Sequence, residues 1–343
     1  MHKKLVLVTG GLGYIGSHTV VELIQDGFEV VIADNLSNSE LFILDRIEQI
    51  TGVLPKLHKV DLCDADAMEQ LFNEHKFDVV IHFAALKSVG ESIAKPLRYF
   101  QNNLNSLTNL LELMIANGVP NLIFSSSATV YGQPEELPVT EQSPFAKALS
   151  AYASTKQMGE EILEKVCDAG KINNISLRYF NPVGAHASGL IGELPKGIPN
   201  NLFPYLMQTA SGKLTQLTVY GNDYPTPDGS CLRDYIHVVD LAKAHVQACK
   251  RLVNNAGGSG FEVFNLGTGN GTSVLEIIKA FENTTGQKLN YKIGPRRPGD
   301  AMAVYADTQK ANSQLQWKAV HNLEDMIRSS WNWECKSSVK SDG

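Results

Sequence analysis

The sequence predicts an α/β protein built on a doubly wound parallel sheet, with a smaller α/β lobe at the C-terminal end. Three observations support this prediction: apolar strand segments alternate with helical segments over the first 180 residues or so, a glycine-rich turn follows the first strand, and glycine, proline and asparagine accumulate after Asn181. Parallel strands joined by helices cross over in a right-handed sense, which places helices on both faces of the sheet.

The glycine-rich turn follows the first apolar segment. Residues 5–8 are all apolar, and glycines follow at positions 10, 13 and 16, the spacing G-x-x-G-x-x-G. In a dinucleotide-binding turn, Gly10 would permit the sharp bend, Gly13 would leave room for a pyrophosphate, and Gly16 would let the next helix pack closely. Glycine turns also occur for purely structural reasons, so the spacing needs support from the residues that follow.

That support comes from the second strand. A helical segment at 17–26 leads into an apolar strand at 29–33, which ends on Asp34. An acidic residue about 20 positions after the glycines binds the ribose 2′-hydroxyl in Rossmann-type folds. Neither Asn35 nor Leu36 supplies an arginine for a 2′-phosphate. The sequence therefore predicts a Rossmann-type site for NAD rather than NADP.

The alternation of strands and helices continues to about residue 180. Strands are predicted at 56–62, 78–85, 121–125 and 175–180, and helices at 40–51, 64–75, 96–116 and 152–168. Nearly unbroken apolar strands are expected where a parallel sheet is covered on both faces. Residues 1–180 are therefore predicted to form the NAD-binding domain.

A second, smaller lobe is predicted from 181 to 343. The strand and helix alternation weakens there, with a strand-turn and helix at 233–252, a strand at 261–266, and closing helices at 273–284 and 322–333. The segment from about 233 to 265 is expected to return to the first domain. The rest of the lobe is expected to bind the substrate.

Composition narrows the function classes. The chain of 343 residues is 43% hydrophobic, so it can bury a large core, and its formal charge of −6 argues against a nucleic-acid partner. No run approaches eighteen apolar residues, so no membrane span is predicted. Scattered cysteines without C-x-x-C spacing indicate reduced thiols and a cytoplasmic location. These cysteines are Cys63, Cys167, Cys231, Cys249 and Cys335.

The histidines give no sequence indication of a metal site. The nine histidines include no H-x-x-x-H pair and form no carboxylate-flanked cluster along the chain. His82 and His237 are therefore predicted to be packing or hydrogen-bonding residues, and no metal is predicted.

Candidate catalytic residues lie where the predicted strands end. The strand at 121–125 runs into three serines that end at Ser127, and the following helix opens with Tyr152 and, four residues later, Lys156. This spacing places the phenol and the ammonium on one helix face. A tyrosine with its ordinary pKa of about 10 is a poor base at neutral pH, so a neighbouring ammonium is expected to lower it.

Five stretches carry a resemblance to a known family. They are T-G-G-L-G-Y-I-G-S-H at 9–18, S-S-S-A-T-V-Y-G at 125–132, Y-x-x-x-K at 152–156, R-Y-F-N-P-V-G-A-H at 178–186 and R-D-Y-I-H-V at 233–238. On these residues, almost the whole chain resembles the UDP-glucose 4-epimerase family of the extended short-chain dehydrogenase/reductase superfamily. The Ser-Tyr-Lys set is shared across the superfamily, whereas the stretch at 178–186 is more particular to the epimerases.

The resemblance implies a mechanism in which Ser127 and Tyr152 bracket the 4-oxygen of the sugar and Lys156 holds the nicotinamide ribose. Tyr152 would take the 4-hydroxyl proton while the C4 hydride passes to tightly bound NAD, which gives a 4-keto sugar and NADH. The keto sugar would rotate about its link to the pyrophosphate and receive the hydride on its other face. UDP-galactose and UDP-glucose would thus be interconverted, and NAD would be regenerated in each turnover.

The resemblance also implies two sets of binding residues. The cofactor set, besides Tyr152 and Lys156, is Gly10, Gly13, Tyr14, Ile15, Gly16, Asp34, Asn35, Asn38, Ser39, Asp61, Leu62, Phe83, Ala84, Lys87, Asn102 and Phe180. The substrate set is Ser127, Asn181, Asn201, Leu202, Tyr220, Arg233, Tyr235, Arg297, Asp300 and Val304. A planar guanidinium suits a pyrophosphate because it can donate two hydrogen bonds at once.

Two positions depart from the family pattern. Ala151 and Ala153 flank Tyr152 where a proline and a glycine are usual, so a slightly altered helix start with retained chemistry is expected. Val304 occupies the position at which, as the resemblance implies, epimerases restricted to glucose and galactose carry a bulky aromatic residue. The smaller valine suggests that UDP-N-acetylglucosamine and UDP-N-acetylgalactosamine are also accepted.

Two other functions share this fold. A nucleotide-sugar 4,6-dehydratase commonly carries Asp-Glu after the active-site Ser or Thr, whereas this chain has Ala128 and Thr129. An NAD-sensing regulatory protein usually shows a broken catalytic set, and here the Ser-Tyr-Lys set is intact. The helices at 96–116 and 152–168 are expected to pair with their copies in a homodimer, as the resemblance implies.

Overall fold

The computed structural model describes residues 3–255, 257, 260–297 and 300–338, with fourteen strands and eleven α-helices in that part of the chain. The last residues of the predicted second lobe, 339–343, lie outside it. The strands are β1 (Leu5–Thr9), β2 (Glu29–Asp34), β3 (Lys56–Lys59), β4 (Val79–His82), β5 (Asn121–Ser127), β6 (Asn173–Tyr179), β7 (Asn181–Val183), β8 (Leu217–Tyr220), β9 (Leu232–Arg233), β10 (Tyr235–His237), β11 (Phe261–Leu266), β12 (Thr272–Ser273), β13 (Tyr291–Gly294) and β14 (Ala303–Val304).

The helices connect these strands, and a 3₁₀ turn (Ala128–Tyr131) follows β5. They are α1 (Tyr14–Gln25), α2 (Phe42–Thr51), α3 (Ala65–Glu74), α4 (Val89–Ala94), α5 (Pro96–Ala116), α6 (Ala151–Asp168), α7 (Leu202–Ala210), α8 (Val238–Val253), α9 (Val274–Thr285), α10 (Gln309–Gln314) and α11 (Leu323–Ser338).

Seven parallel strands form the central sheet, in the order β11-β6-β5-β4-β1-β2-β3. The predicted doubly wound, Rossmann-type sheet is confirmed. The strand order reverses between β1 and β4, and in such sheets the ligand crevice lies at this point, beyond the carboxyl ends of the strands. The glycine turn follows β1, so it lies at that crevice.

The strands bury both of their faces. Val6 and Val8 of β1 pack on one side with residues of α1 and α8, while Leu7 between them packs on the other side with α3, α5 and α6. Side chains of a strand alternate between faces, so an unbroken apolar run serves both layers. This packing holds the strand ends rigidly in place beneath the crevice.

Several element boundaries differ from the prediction. Helix α1 begins at Tyr14, three residues before the predicted start, because Gly13 is already its extended N-cap residue. Strand β5 continues to Ser127 because it pairs with β6 as far as Tyr179. Strands β3 and β4 are shorter than predicted, α4 was not predicted, and α5 has the predicted bounds.

Three small sheets and a separate apolar cluster organise the remaining chain. The small sheets pair β10 with β7, β9 with β12 and β14, and β13 with β8. Phe203, Ile277 and Phe281 are buried together with Ile327 of α11 in the cluster under these sheets. Val304 and Arg233 are far apart in the sequence, and the pairing of β14 with β9 places them side by side.

Two observations bear on the class of protein. Among the helices of the described residues, none is both long enough and apolar enough to cross a membrane. The five cysteines all lie in the described part of the chain and are free thiols, with Cys63 and Cys335 exposed and the other three buried.

Candidate active site

The glycine turn is shaped by its own backbone. Gly10 has a φ of +68°, and a Cβ there would lie 2.9 Å from the backbone nitrogen of Ala84. A Cβ on Gly16 would overlap the carbonyl oxygen of Gly10. A Cβ on Gly13 would meet only that same oxygen, at 3.2 Å. The first and third glycines are thus required by the fold, whereas a Cβ at the second would have one close neighbour and no other atom within 4 Å.

Asp34 connects this turn to the end of β2. Its buried carboxylate accepts hydrogen bonds from the backbone nitrogens of Leu12 (3.1 Å) and Leu36 (2.9 Å) and from the hydroxyl of Ser39 (2.7 Å). The amide of Asn35 donates to the carboxylate of Asp61 at 3.0 Å. The ends of β2 and β3 therefore present two carboxylates beside the turn, while Asn38 is exposed.

The other predicted cofactor residues are divided between the segments that follow β3 and β4 and the helices α1 and α5. Phe83 packs against the ring of His245, and the Ala84 nitrogen donates to Thr9 Oγ1 at 3.3 Å. Lys87 is exposed, with Nζ 3.4 Å from a Glu193 carboxylate oxygen. Four further members have these places: Leu62 is buried, Asn102 is half-buried on α5, Ile15 packs into the core, and Tyr14 donates its hydroxyl to the Gly184 carbonyl at 2.7 Å.

The candidate catalytic residues lie on β5 and α6. Ser127 is the last residue of β5, and its Oγ accepts from the backbone nitrogen of Thr129 at 3.2 Å. Tyr152 is the second residue of α6. The helix starts regularly, because Ser150 is its N-cap and accepts from the backbone nitrogen of Ala153 at 3.2 Å. Alanine at 151 and 153 is therefore compatible with a normal helix start.

Lys156 lies one turn further along α6 and is buried. Its ammonium donates to the carbonyl oxygen of Ser125, and it lies 4.8 Å from the centre of the Phe124 ring and 5.8 Å from that of Tyr152. Burial lowers the pKa of Lys156 to about 8, although the Glu160 carboxylate acts in the opposite direction.

The expected lowering of the Tyr152 pKa is not observed in the protein alone. Burial raises the pKa of Tyr152, the Ser127 hydroxyl partly offsets this by hydrogen bonding, and the neighbouring Tyr99 adds to the rise. The reason is geometric, since the Lys156 ammonium is directed at the Ser125 carbonyl rather than at the phenol oxygen. A further positive charge beside the phenol is needed to make it a base near neutral pH.

A buried ionic network lies directly behind this face of α6. The carboxylate of Glu160 accepts from Arg178 Nε (3.0 Å) and Nη2 (2.6 Å), and also from the hydroxyl of Ser126. Nη1 of Arg178 donates to the hydroxyl of Tyr131 at 2.8 Å, and that hydroxyl donates to Oδ1 of Asn265 at 2.6 Å. The network joins β5, β6, β11 and α6, which carry or flank the candidate catalytic residues.

The substrate residues predicted on the second lobe form a cationic group. Arg233 is paired with the Asp300 carboxylate, and Arg297 lies over the Tyr220 ring, 4.5 Å from its centre. Burial raises the pKa of the Cys231 thiol, and both arginines oppose this rise. Guanidinium groups suit a diphosphate, because each can donate two hydrogen bonds at once.

The remaining predicted substrate residues are less uniform. Asn181 is half-buried on β7, and Asn201 is exposed just before α7, whose first residue, Leu202, packs into the apolar cluster. Tyr235 is buried against Phe203 instead of being open to a ligand. Val304 is half-buried and packs against a small apolar cluster that contains Phe180, the residue that follows β6.

Sequence reasoning missed Glu160, Asn265 and Ser150. The signal for Glu160 was available, because Tyr152, Lys156 and Glu160 recur at four-residue spacing along one helix face. Asn265 could not be found in this way, since 134 residues separate it from its partner Tyr131.

Comparison with known proteins agrees with this arrangement. Residues 6–267 match the model of the NAD dependent epimerase/dehydratase family. A UDP-glucose 4-epimerase of Cyamopsis tetragonoloba is 52% identical over 98% of this chain and 97% of its own length. A UDP-glucose 4-epimerase of Bacillus subtilis (strain 168) is also 52% identical, over 96% of this chain and 96% of its own length.

Two solved structures are also similar. The UDP-glucose-4-epimerase of Stenotrophomonas maltophila, with bound NAD and formylated UDP-arabinopyranose, has a TM-score of 0.95 and 49% identity, and covers 98% of this chain and 99% of its own. The UDP-glucose 4-epimerase of Bifidobacterium longum, in complex with NAD+ and UDP, has a TM-score of 0.93, 51% identity and the same coverage. The chain therefore belongs to the UDP-glucose 4-epimerases, within the NAD dependent epimerase/dehydratase family.

Proposed function

We propose that this protein interconverts UDP-galactose and UDP-glucose through a transient 4-keto sugar, with tightly bound NAD that is regenerated in each turnover. The observation that carries the proposal is the placement of Ser127 and Tyr152 within hydrogen-bonding reach at a strand end and a helix start, in the same parallel sheet whose β1 leads into the glycine turn. Bound NAD would supply a hydride acceptor and donor at C4 and a positive charge beside the phenol.

The residues at the crevice fit a dinucleotide. Gly13 lacks a side chain at the N-terminus of α1, where backbone N–H groups favour a pyrophosphate. Asp34 and Asp61 present carboxylates at the ends of neighbouring strands, suited to ribose and adenine groups. We assign the cofactor set named from the sequence to this crevice. The side chain of Ile15 packs into the core and would support the turn from below.

Within this proposal, the catalytic side chains have distinct roles. Tyr152 removes the proton from the 4-hydroxyl and returns it to the other epimer, acting as general base and then as general acid. Ser127 donates a hydrogen bond to the same sugar oxygen, which holds that oxygen near the phenol. Lys156 binds the nicotinamide ribose and contributes positive charge on the same helix face as Tyr152.

The second lobe would hold the UDP group. Arg233 and Arg297 are proposed to bind the diphosphate, with Asp300 orienting Arg233 and Tyr220 supporting Arg297. On this basis we assign residues 1–180, with a return of about 233–265, to NAD and residues 181–343 to the UDP-sugar. β11 and α8 support the return, because both pack with the central sheet.

Val304 supports a wider sugar range. It lies beside Arg233 in the small sheet and packs against the cluster that contains Phe180, between the proposed diphosphate and nicotinamide positions. A valine there leaves more room than an aromatic ring for an N-acetyl group. We therefore propose that UDP-N-acetylglucosamine and UDP-N-acetylgalactosamine are also interconverted.

A homodimer formed through α5 and α6 is also proposed. The two helices pack on each other and leave apolar side chains exposed, with Leu97 73% and Met158 41% accessible. An exposed apolar surface of this kind is typical of a protein interface. Free thiols at all five cysteines support the proposed cytoplasmic location.

The deciding experiment is incubation of the purified protein with UDP-galactose and no added cofactor. UDP-glucose as product supports the epimerase. A UDP-4-keto-6-deoxy sugar would establish a dehydratase, and absence of turnover in a protein that contains NAD would indicate a sensor. UDP-N-acetylglucosamine is tested in parallel with Val304→Tyr, which should lose that substrate selectively while keeping UDP-galactose.

A further inference from the structure

A cluster of two histidines and a glutamate lies on the flank of the sheet, among residues that the proposed reaction does not use. His58 is on the edge strand β3, Glu74 is the last residue of α3, and His75 follows it. The two histidine Nε2 atoms are 3.1 Å apart, and each lies 3.9 Å from the same carboxylate oxygen of Glu74. These three atoms converge on one position.

The dimensions of this triangle match a metal site. The nearest point equidistant from the three donor atoms lies in their plane, about 2.1 Å from each of them, and about 2.0–2.2 Å is the length of zinc bonds to imidazole nitrogen and carboxylate oxygen. Two histidines and one carboxylate, with a remaining position for water, form a donor set that suits zinc and related transition metals. We propose that His58, Glu74 and His75 bind a divalent transition metal of the zinc type.

The two imidazoles are prepared for this role. The side chains of His58 and His75 are 18% and 16% exposed, and the His75 ring packs against the buried ring of Phe77. A neutral imidazole binds zinc through the lone pair of a ring nitrogen. Glu74 is 51% exposed, which leaves the site open on one side for the metal to enter.

Lys56 is a built-in competitor for the metal. Its ammonium lies 2.7 Å from the Glu74 oxygen that faces the two histidines. In the metal-free protein this ammonium supplies the positive charge beside the carboxylate, and one imidazole donates to the other. A bound metal must displace Lys56, whose side chain is half exposed and can move away into solvent. Removing the competitor should therefore strengthen metal binding.

A metal here would join the edge strand to the end of the neighbouring helix. β3 pairs only with β2 in the described part of the chain, and the side chains of Lys56 and His58 on this edge strand contact Glu74 at the end of α3. A ligand that binds the folded state alone stabilises it by mass action. The expected role is thus structural, and epimerisation itself does not require the metal.

The test uses the full-length protein with its NAD and titrates zinc sulfate by calorimetry, with unfolding temperature as a second readout. One zinc should bind and raise the unfolding temperature by about 2 °C or more at saturation, and EDTA should reverse the rise. His58→Gln and His75→Gln should each weaken binding by more than the roughly 10–100-fold that loss of an outer-shell partner costs, because each removes a direct ligand. Glu69→Gln, an exposed carboxylate on α3, is the matched control and should bind as the parent does.

Lys56→Gln distinguishes the site from a simple hydrogen-bonded pair of histidines, since it should tighten zinc binding several-fold. Unchanged binding in both histidine variants would overturn the proposal and place the zinc elsewhere, for example at the exposed thiols of Cys63 or Cys335. Failure of the parent protein to bind zinc at millimolar concentration, or an unchanged affinity in Lys56→Gln, would also overturn it.

Discussion

Arg178 and Glu160 form a two-pronged ion pair that is buried on both sides, with side-chain exposures of 5% and 3%. Burial opposes the charge of Arg178, yet the paired Glu160 raises the pKa of the guanidinium above its usual value. The pair is costly to break, because the remaining partner would be a charge without compensation in the interior. Its carboxylate also bonds Ser126, beside the candidate catalytic Ser127.

Glu160→Gln is therefore expected to reduce the free energy of unfolding by about 3–5 kcal/mol. Denaturant unfolding at fixed NAD concentration measures this loss. The matched control is Arg328→Gln, which breaks the exposed pair with Glu324 and should change stability by less than about 1 kcal/mol. Equal losses in the two variants would contradict the importance of the buried pair.

The glycine turn predicts two different outcomes for two alanine substitutions. Gly13→Ala should destabilise the protein much less than Gly16→Ala but should lose bound NAD, because its Cβ would meet one protein atom, at 3.2 Å, and would stand where the pyrophosphate is proposed to approach the backbone. Gly16→Ala should destabilise the protein itself, because its Cβ would overlap the Gly10 carbonyl. Absorbance of released NAD and thermal unfolding separate the two effects. Retention of NAD by Gly13→Ala would show that the pyrophosphate lies elsewhere, and Gly13→Val should remove both NAD and activity.

Tyr152→Phe tests the proposed base. Turnover of UDP-galactose should fall by about 10²–10⁴-fold, the usual contribution of one general acid–base group, while NAD content stays unchanged. Tyr291→Phe, on the exposed β13, serves as the control and should retain full activity. Near-normal turnover in Tyr152→Phe would remove Tyr152 from the chemistry.

Acid should destabilise the protein before its carboxylates titrate. Burial lowers the pKa of His18 and His237 to about 3, of His82 to about 3 with help from Lys156, and of His245 to about 4. Unfolded histidines have a pKa near 6.5, so unfolding takes up protons below this pH. The stability contribution of these neutral rings is present in full above about pH 6.5 and is lost progressively as the pH falls from there to about 3.

The expected slope is up to about 1.4 kcal/mol per pH unit for each of these histidines. Denaturant unfolding at intervals between pH 7 and 5 measures it, in a range above the ordinary pKa of unfolded carboxyl groups. A stability that is independent of pH over this range would show that the histidines are not buried as neutral rings. Adding NAD at saturation throughout keeps cofactor loss from contributing to the slope.

The local parts of the fold could be predicted from the sequence. Helix α5 was predicted with its observed bounds, because helical periodicity runs from Pro96 to a stop at residues 117–120. The glycine spacing and Asp34 indicated the dinucleotide crevice, and these groups do meet, with the Leu12 nitrogen bonded to the Asp34 carboxylate. Such features depend on neighbours along the chain, so the sequence carries them directly.

The tertiary structure decided which distant groups share one environment. It placed β11 beside β6, selected Arg178 as the partner of Glu160 and brought His58 to His75. It also reversed the expected direction of the Tyr152 pKa, because burial outweighs an ammonium that is directed elsewhere. Periodicity and motif spacing determine which residues stand at the strand ends, because these patterns are local. The burial of a side chain and the identity of its partner depend on packing between segments that are far apart in the chain, and local patterns do not show how those segments meet.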